Sequence, residues 1–372
     1  MRALWEPAAG ALRAVLRGDA DAGTALQEAD RRFRIFTRPA PAAADPLPYA
    51  AALGIAMLVG AALLARRARR VRLLPRMRAS RHAYLYLLPA GLGVLLLLTV
   101  PFVVGAAVSL TAHRGGEFSF VGLRNFVEIL ASRDFGLTEP ENFYRTLGVT
   151  VLWTVLNVGL HLAIGVALAL LLKDPWLRLR GVYRVLLILP WAVPNYITAL
   201  IWKGMFHRQL GAVNAVLGWF GVEPVGWFDR FSTAFAANLA TNVWLGFPFM
   251  MVVTLGALQA IPRDIEEAAA IDGAGPWMRF RRLTLPAILP ALAPATVLGC
   301  VWTFNMFNVI YLVSGGNPEG RTEILISQAY RWAFSRQEQY GYAAAYAVLI
   351  FGILLAFDLA ARRWTAREAA GT

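Results

Sequence analysis

Six long apolar stretches constrain this chain more than any other feature of its sequence. They cover residues 84–112, 146–172, 185–205, 233–258, 287–313 and 342–361. A helix needs about 20 predominantly apolar residues to cross the hydrocarbon core of a bilayer. In lipid, backbone N–H and C=O groups must pair within the structure itself, and an α-helix achieves this within one segment. The sequence therefore predicts an all-α, polytopic transmembrane helical bundle with six core spans.

A seventh, shorter apolar run covers residues 49–65. It is not a cleaved signal peptide, because it begins about 50 residues into the chain and the basic segment follows it rather than preceding it. We interpret it as an additional span. If it crosses the bilayer, the residues before it lie outside the cell; if it lies in the interface or re-enters, they lie inside.

The predicted domain organisation follows from these runs. Residues 1–47 form a soluble or interfacial segment, for which an amphipathic helix over 12–26 is one interpretation. A partly ordered tail ending in the Pro-rich linker 38–48 is the favoured one. Residues 48–82 hold the additional span and a basic linker, 83–365 form the core transmembrane domain, and 366–372 form a cytoplasmic tail.

The formal net charge of +13 is carried mainly by arginines that flank the apolar runs. This placement favours a membrane protein over a nucleic-acid-binding one, because cytoplasmic loops carry an excess of Lys and Arg. Segment 66–82 has eight arginines and no acidic residue, and 173–184 is also basic. Both fall on one side with the C-terminal arginines and the loop 259–286, so that side is predicted to be cytoplasmic. Loops 113–145, 207–232 and 315–341 face outward.

The charged loop 259–286 separates two apolar runs, and its residues predict a helix, a turn and a second element. Pro262 can begin a helix at low cost because its missing N–H would be unpaired there. The acids at 264, 266 and 267 lie in the first turns, where they favour the helix dipole. Gly273 permits a tight turn after this helix. A basic second element follows, which we expect to end at Leu285–Pro286 as the next span begins.

The spacing of this loop, E-A-A, three residues, G, nine residues, then L-x-L-P, resembles the EAA loop of ABC importer permeases. The resemblance implies that Glu267 and Gly273 lie where a separate ATPase binds the membrane subunit. The residues assigned to this coupling are Glu267, Ala268, Ala269, Gly273, Phe280, Leu285 and Pro286. The chain has no G-x-x-x-x-G-K-[ST] loop, because neither lysine follows a glycine. It is therefore expected to hold no cofactor itself, with ATP and Mg²⁺ on the partner ATPase.

The resemblance extends to segments 120–126, 184–194, 315–318 and 341–345, and it is closest to the MalF-type permeases of maltose and maltodextrin importers. Asn242 and Gly246 share one helix face next to Pro248, a residue that transporters tolerate where a span lines a cavity. Asn305 and Asn308 are expected on one face of a later span. Amides bond sugar hydroxyls, and aromatic rings pack on sugar C–H faces.

By resemblance, the positions lining the sugar site are Asn242, Leu245, Gly246, Phe249, Phe304, Asn305 and Asn308. Two departures weaken a maltose assignment more than a general glucoside one. Phe249 stands where the family pattern has Tyr, and Val301 replaces a small hydroxyl residue. The alternative interpretation is that these asparagines only join helices. His161 is expected to be a buried, helix-bonded histidine rather than a proton relay.

The resemblance implies a permease subunit of a binding-protein-dependent sugar importer in the bacterial inner membrane, not an enzyme. Its expected partners are an ABC ATPase dimer, a second homologous permease, an extracytoplasmic sugar-binding protein, the sugar and the lipid bilayer, with no nucleic acid. The alternatives are a permease for another sugar or polyol, or an ion-coupled secondary transporter, which would need ionisable residues deep in several spans. An enzyme would need acidic pairs or a metal motif, and the sequence shows neither.

Overall fold

The computed structural model describes residues 2–71, 79–114, 116–174 and 176–371, and the side chains of these residues except those of 2–4, 114 and 364–371. The described chain is helical apart from one short β-hairpin, as the apolar runs predict. It divides into two compact units. The first comprises Met1–Asp134 with Ala329–Ile350, and the second comprises Phe135–Gln328 with Phe351–Thr372.

The elements up to residue 131 are α1 (Arg2–Arg17), α2 (Ala22–Phe36), α3 (Leu47–Arg70), α4 (Arg81–Val94), α5 (Val100–Val108), β1 (Thr111–Arg114), β2 (Glu117–Phe120) and α6 (Arg124–Ala131). The later elements are α7 (Phe143–Lys173), α8 (Arg180–Ala192), α9 (Asn195–Met205), α10 (Ala212–Gly218), α11 (Phe231–Gln259), α12 (Arg263–Ile271), α13 (Pro276–Arg279), α14 (Leu285–Phe304), α15 (Phe307–Val309), α16 (Leu325–Phe334) and α17 (Tyr340–Gly371). Short π-helical turns occupy Leu95–Thr99, Phe280–Thr284 and Ile310–Ser314.

Six helices among the described residues are long and apolar enough to cross a membrane. They are Leu47–Arg70, Arg81–Val108, Phe143–Lys173, Phe231–Gln259, Pro276–Phe304 and Tyr340–Arg363. The short run 49–65 is thus part of a 24-residue helix, α3. A helix of this length extends about 36 Å, more than the roughly 30 Å of a hydrocarbon core.

The apolar run 185–205 is not one straight span, contrary to the prediction. It forms α8 and α9, which meet at an angle of 94°. Val193 is extended, with φ −86° and ψ 134°, because the ring of Pro194 disfavours the helical conformation of the residue before it. The break therefore has a local cause. The sequence indicates it, because the apolar run contains two prolines, Pro190 and Pro194.

The run 287–313 is also interrupted. Helix α14 ends at Phe304, and the chain turns at Asn305 and Met306 before α15 begins. The Asn305 Nδ2 donates to Val301 O at 3.2 Å, and Phe307 N donates to Asn305 O at 2.8 Å. Asparagine favours such ends because its side chain bonds nearby backbone groups. The prediction that Asn305 and Asn308 share one face of a continuous helix was wrong.

A third difference concerns the basic element after Gly273, which was predicted to end at Leu285–Pro286. Instead, the helix continues from Pro276 to Phe304. The π-helical turn Phe280–Thr284 precedes Pro286. A proline ring clashes with the carbonyl four residues earlier in a regular α-helix. The wider turn relieves that clash, so the helix passes the proline without stopping.

The residues before α3 form a helical hairpin rather than a partly ordered tail, and the prediction of a tail was wrong. A single amphipathic helix over 12–26 is also wrong, because the chain turns at Gly18, whose φ is +75°. Asp21 caps α2, accepting from Gly23 N at 2.8 Å and Thr24 N at 3.1 Å. This cap and the buried side chains Ala25, Ala29 and Phe36 of α2 order the segment.

The second unit is built around the close packing of α7 on α11. A Cβ atom on Gly165 would lie 2.7 Å from the Met250 Cβ, so only glycine lets the two helices approach this closely. Trp153 of α7 is fully buried, and its Nε1 donates to Thr303 O of α14 at 3.0 Å. These contacts bring α7, α11 and α14 together around the candidate site.

Candidate functional site

A cavity of about 370 Å³ lies within the second unit. It is lined by His161 of α7, the broken segment 190–195 between α8 and α9, one face of α11 and the end of α14. Cavities of about 300–1,000 Å³ hold small-molecule ligands in proteins. The broken segment matters here, because irregular backbone at membrane depth is tolerated where it lines a cavity.

Three aromatic rings form one wall of this cavity. The ring centroids of Trp191 and Phe249 lie 5.9 Å apart, and those of Phe249 and Trp302 lie 5.5 Å apart. The rings are tilted to each other by 50° and 55°. They come from three different elements, so the wall exists only in the folded unit. Such rings offer faces against which the C–H groups of a sugar ring can pack.

Two amide side chains supply the polar groups. Asn242 is buried, and its Nδ2 donates to the Asn157 Oδ1 at 2.9 Å. The Asn195 Oδ1 accepts from the Asn308 Nδ2 at 3.1 Å. Within the described part of the chain, no hydrogen bond uses the Asn242 Oδ1 or the Asn195 Nδ2. The Asn242 Oδ1 is thus available as an acceptor and the Asn195 Nδ2 as a donor, which together match a hydroxyl group.

His161 packs behind Asn242 and against Gly246. Its Nε2 lies 2.9 Å from Asn242 O, so the ring is held by the backbone of α11. A Cβ atom on Gly246 would lie 2.2 Å from the His161 Cε1. Gly246 therefore makes room for the imidazole as well as opening the cavity. The prediction of a buried, helix-bonded histidine is confirmed.

None of the residues that line the cavity is Asp, Glu, Lys or Arg. An anionic or cationic ligand would have no charged partner there, and burying an unpaired charge is costly. Among the described residues, no group of three or more His, Cys, Asp and Glu could hold a metal ion. The lining is thus suited to a neutral, polyhydroxylated ligand.

The structure brings four of the seven predicted substrate-binding residues together in the lining, namely Asn242, Leu245, Gly246 and Phe249. The other three do not line the cavity. Phe304 is buried, and Asn305 bonds the backbone of its own helix. Asn308 reaches the site indirectly, by fixing the amide of Asn195.

Sequence reasoning missed Trp191, Asn195 and Trp302 as lining residues. The signal for the first two was present, since both lie within or beside the segment P-W-A-V-P, where paired prolines break an apolar run. Trp302 lies three residues before Asn305, a spacing that would place both on one face of a regular helix. The helix ends at Phe304, however, so this spacing does not relate the two side chains. No sequence pattern indicates that these residues meet Phe249.

The loop between α11 and α14 is a second site of interest. Helix α12 begins with Asp264 and Glu266 in its first turn. The Glu266 carboxylate pairs with the Lys173 ammonium at the end of α7. Gly273 follows with φ +80°, the left-handed conformation in which a residue with a Cβ is strained. The predicted first helix and the turn at Gly273 are present, and an ion pair joins that helix to α7.

The predicted coupling residues divide into two groups. Glu267, Ala268, Gly273 and Pro286 are exposed and Ala269 is partly exposed, whereas Phe280 and Leu285 pack against the apolar cluster formed by α7, α11 and α14. The second group therefore anchors the loop to the spans. Two apolar side chains that the sequence did not single out, Ile271 and Trp277, are 87% and 71% exposed. Large exposed apolar groups of this kind indicate a surface for a protein partner.

The loop and the cavity share their helices. Gln259, at the end of α11, lies 17 residues after Asn242, about 26 Å along the axis at 1.5 Å per residue. After the loop, the continuous helix Pro276–Phe304 leads to Trp302. Each end of the loop is thus joined by an unbroken helix to a different wall of the cavity.

Comparison with known proteins adds to this geometry. Residues 161–367 match the family described as "Binding-protein-dependent transport system inner membrane component". The chain is 40% identical over 257 residues to the maltose/maltodextrin transport system permease protein MalF of Salmonella typhimurium (strain LT2), covering 65% of this chain and 49% of that protein. It is also 40% identical over 256 residues to MalF of Escherichia coli (strain K12), with the same coverage. The chain thus matches about half the length of these relatives.

Among solved structures, the fold is similar to that of a bacterial ABC transporter involved in the import of the acidic polysaccharide alginate. The TM-score is 0.68 at 21% identity, covering 80% of this chain and 99% of that one. A second structure of a bacterial alginate ABC transporter, in complex with an alginate pentasaccharide-bound periplasmic protein, gives a TM-score of 0.67 at 21% identity, covering 80% and 98%. This likeness concerns the fold of the membrane subunit.

Proposed function

Because this chain belongs to the family of binding-protein-dependent transport system inner membrane components, we propose that it is the permease subunit of an ATP-driven sugar importer. It is a multi-pass inner membrane protein, as its family and its apolar helices indicate. Its substrate is a neutral sugar, maltose or a malto-oligosaccharide in the first place. The subunit forms no covalent bond to the sugar, and ATP with Mg²⁺ is bound by the partner ATPase.

The observation that carries this proposal is the cavity with an aromatic wall, two amides and no charged lining. Trp191, Phe249 and Trp302 supply the ring faces, and Asn195 and Asn242 supply a donor and an acceptor. Carbohydrates present apolar C–H faces and polar hydroxyls at once, so a site of mixed aromatic and amide character binds them well. A metabolite with a carboxylate or phosphate would find no cation there.

The substrate class also draws on the relatives. Those with about 40% identity are named for maltose and maltodextrin. The alginate transporter imports an acidic polysaccharide, which an uncharged cavity would not favour. Phe249 lacks the hydroxyl that the maltose pattern carries, so a related neutral glucoside or polyol is the second candidate for the same site.

The mechanism is alternating access, in which the spans rock between outward-open and inward-open states. The exposed residues Glu267, Ala268 and Gly273 contact the ATPase, together with Ile271 and Trp277. When ATP closes the ATPase dimer, the loop moves, and α11 and α14 carry that movement to two cavity walls. Ligand binding can shift such an equilibrium only by its differential affinity for the two states.

The partners follow from this mechanism. An ABC ATPase dimer binds the cytoplasmic loop, a second homologous permease completes the translocation path, and an extracytoplasmic sugar-binding protein delivers substrate. A bacterial alginate ABC transporter that was solved in complex with a periplasmic protein supports an assembly of this general kind. The short outward segment between α5 and α7 leaves the binding protein fewer contacts than a larger outward domain would give.

The test is reconstitution of the chain with its ATPase, second permease and binding protein in proteoliposomes. We expect uptake of radiolabelled maltose or maltotriose that requires ATP inside and the binding protein outside. Uptake driven by a proton gradient without ATP would overturn the importer assignment and favour a secondary transporter. ATP-dependent uptake of an acidic sugar in preference to neutral ones would overturn the substrate class alone.

A further inference from the structure

We propose that the helical hairpin α1–α2 lies on the outward face of the membrane and is held there by Arg336. We call the contacts of Arg336 with Glu6, Phe36 and Trp332 the clamp. Helix α3 then crosses the bilayer from outside to inside. The proposal rests on the proposed function, in which the loop 259–286 lies in the cytoplasm. It goes beyond that function, because neither the family nor the relatives' names say where these first residues lie.

Arg336 is the centre of the clamp. Its side chain is 1% exposed, and its Nη2 donates to the Glu6 Oε1 of α1 at 2.7 Å. Its guanidinium carbon lies 4.6 Å from the centroid of the Phe36 ring and 4.7 Å from that of Trp332. A buried guanidinium is tolerated only when a charged partner or aromatic faces replace its water. Here α1 and α2 supply the carboxylate and one of the two rings.

Further contacts fix the hairpin to two segments of the same unit. The Gln339 Nε2 donates to Phe36 O at 3.1 Å. The Arg31 Nη1 donates to Asp134 O at 2.9 Å, and the Arg38 guanidinium pairs with the Asp134 carboxylate at 2.8 Å. The hairpin therefore contacts both the segment after α6 and the segment before α17.

Those two segments lie at outward ends of spans. Helix α17 begins at Tyr340, directly after Gln339, and carries Arg362 and Arg363 at its far end. The Arg81–Val108 span begins after the arginine-rich segment 66–82 and leads into the β-hairpin β1–β2. Because Lys and Arg mark the cytoplasmic side, the β-hairpin and the start of α17 face outward.

Helix α3 also begins on the outward side, next to the β-hairpin β1–β2. Ala44 N donates to Phe120 O of β2 at 2.7 Å, and the rings of Tyr49 and Phe120 contact each other edge to face at 5.3 Å. The start of α3 is thus beside the outward β-hairpin, whereas its other end carries Arg67, Arg69 and Arg70.

The charge balance across α3 agrees with this direction. Residues 1–46 carry seven arginines and six acidic residues, whereas 66–82 carry eight arginines and no acid. A strong excess of arginine on one side of a span holds that side in the cytoplasm. The nearly neutral hairpin is therefore on the opposite side.

The experiment uses single cysteines in the assembled transporter in spheroplasts. Cys300, the one native cysteine, is first changed to Ala. Asp19→Cys then probes the exposed turn between α1 and α2, and Arg178→Cys probes the exposed cytoplasmic link between α7 and α8. We expect a membrane-impermeant maleimide to label the Asp19→Cys variant in intact spheroplasts, and the Arg178→Cys variant only after permeabilisation.

Labelling of both variants only after permeabilisation would overturn this proposal and leave the proposed function intact. Labelling of the Arg178→Cys variant from outside would overturn the orientation itself, and with it both proposals. The two failures are therefore distinguishable.

The clamp is tested with Ala29→Cys, a position buried in α2. Leaving the Glu6 carboxylate without its buried partner should release the hairpin, so Arg336→Gln should raise the labelling rate from outside at least about tenfold. Arg34→Gln, which removes an arginine that is 77% exposed, should leave the rate unchanged. Glu6→Gln serves if Arg336→Gln fails to assemble. Equal rates in the clamp and control variants would overturn the role of Arg336.

Discussion

Gly246 and His161 form a steric pair across α7 and α11, because a Cβ atom on Gly246 would lie 2.2 Å from the His161 Cε1. Gly246→Ala should therefore displace the imidazole and strain the cavity wall, at a cost of about 1–3 kcal/mol for overpacking. We expect lower thermal stability of the purified complex and slower sugar uptake. Adding His161→Ser to Gly246→Ala should restore part of both. An unchanged melting temperature in Gly246→Ala would contradict the pairing.

Asn308 acts on the cavity through Asn195, to which it donates a hydrogen bond of 3.1 Å. Asn195→Ala removes the proposed donor to a sugar hydroxyl, so the apparent affinity should fall about tenfold, the equivalent of one hydrogen bond of 1–1.5 kcal/mol. Asn308→Ala should have a smaller effect in the same direction. Both are measured as the KM for uptake at saturating binding protein. Asn305→Ala, whose amide bonds its own helix, is the control and should leave KM unchanged.

Phe249 stands between Trp191 and Trp302 and lines the cavity. Phe249→Tyr adds a hydroxyl that can bond the substrate without loss of the ring, which should raise affinity for maltose by up to about tenfold. Trp191→Ala should lower it, since one aromatic face is lost, while Trp191→Phe should keep most of it. Equilibrium sugar binding to the detergent-purified complex measures each variant. A Trp191→Ala variant that binds maltose normally would remove this ring from the site.

Glu267 is exposed on α12, whereas its neighbour Glu266 pairs with Lys173. Glu267→Lys reverses the charge on the face proposed to contact the ATPase, so co-purification of the ATPase and transport should both fall. Gly273→Asp should act similarly, because φ is +80° there and a side chain strains the turn. Glu266→Gln is the matched control, since it alters an internal contact and should retain more ATPase. Full ATPase retention and uptake in Glu267→Lys would exclude this face.

The hairpin α1–α2 should bind less firmly to Arg336 and its neighbouring segments at acidic pH; we call this contact the docking of the hairpin. Burial raises the pKa of Glu6, but the charge and hydrogen bond of Arg336 outweigh it, so this pKa lies below its ordinary value of 4.5. The Arg31 hydrogen bond, against the opposing effect of burial and with help from Arg32, lowers the pKa of Glu28 to about 2. A depressed carboxyl pKa stabilises the folded state above the unfolded value and loses that effect as pH falls through the folded one.

Docking should therefore be constant above about pH 5 and weaken between pH 4.5 and pH 2. The mobility of a spin label at Asp19→Cys, followed by electron paramagnetic resonance, measures this. In the Glu6→Gln variant the change should be smaller, because the other carboxyl with a lowered pKa, Glu28, pairs with Arg31 and Arg32 within α2 itself. A pH dependence identical in the two proteins would show that Glu6 does not contribute.

Much of the fold was accessible from the sequence because span length and charge placement are local properties. Five of the six long runs correspond to helices that are long enough to cross, and the run 49–65 lies in a sixth. The breaks at Pro194 and Asn305 were missed for different reasons. The first follows from proline chemistry visible in the sequence, whereas the second depends on a side-chain hydrogen bond that competes with a helix favoured by composition.

The candidate site was predictable only in part. Asn242, Leu245, Gly246 and Phe249 share one face of a regular helix, so their periodicity placed them together. Trp191, Asn195 and Trp302 join them from three other helices, and only long-range packing determines that meeting. Phe280 and Leu285 were assigned to a partner surface, but the fold turns them inward, because apolar groups at the end of a loop pack on the spans when the core is within reach.

The sequence by itself determined that this chain is a multi-span membrane protein, which side of it is basic, and that the loop 259–286 has the spacing of a coupling loop. These features depend on the length, polarity and spacing of contiguous residues. Only the tertiary structure decided that an aromatic wall and two amides surround one uncharged cavity, and that Arg336 holds α1 and α2 in place. Those features depend on contacts between residues far apart in the chain, including a pair separated by 330 positions, which no local pattern encodes.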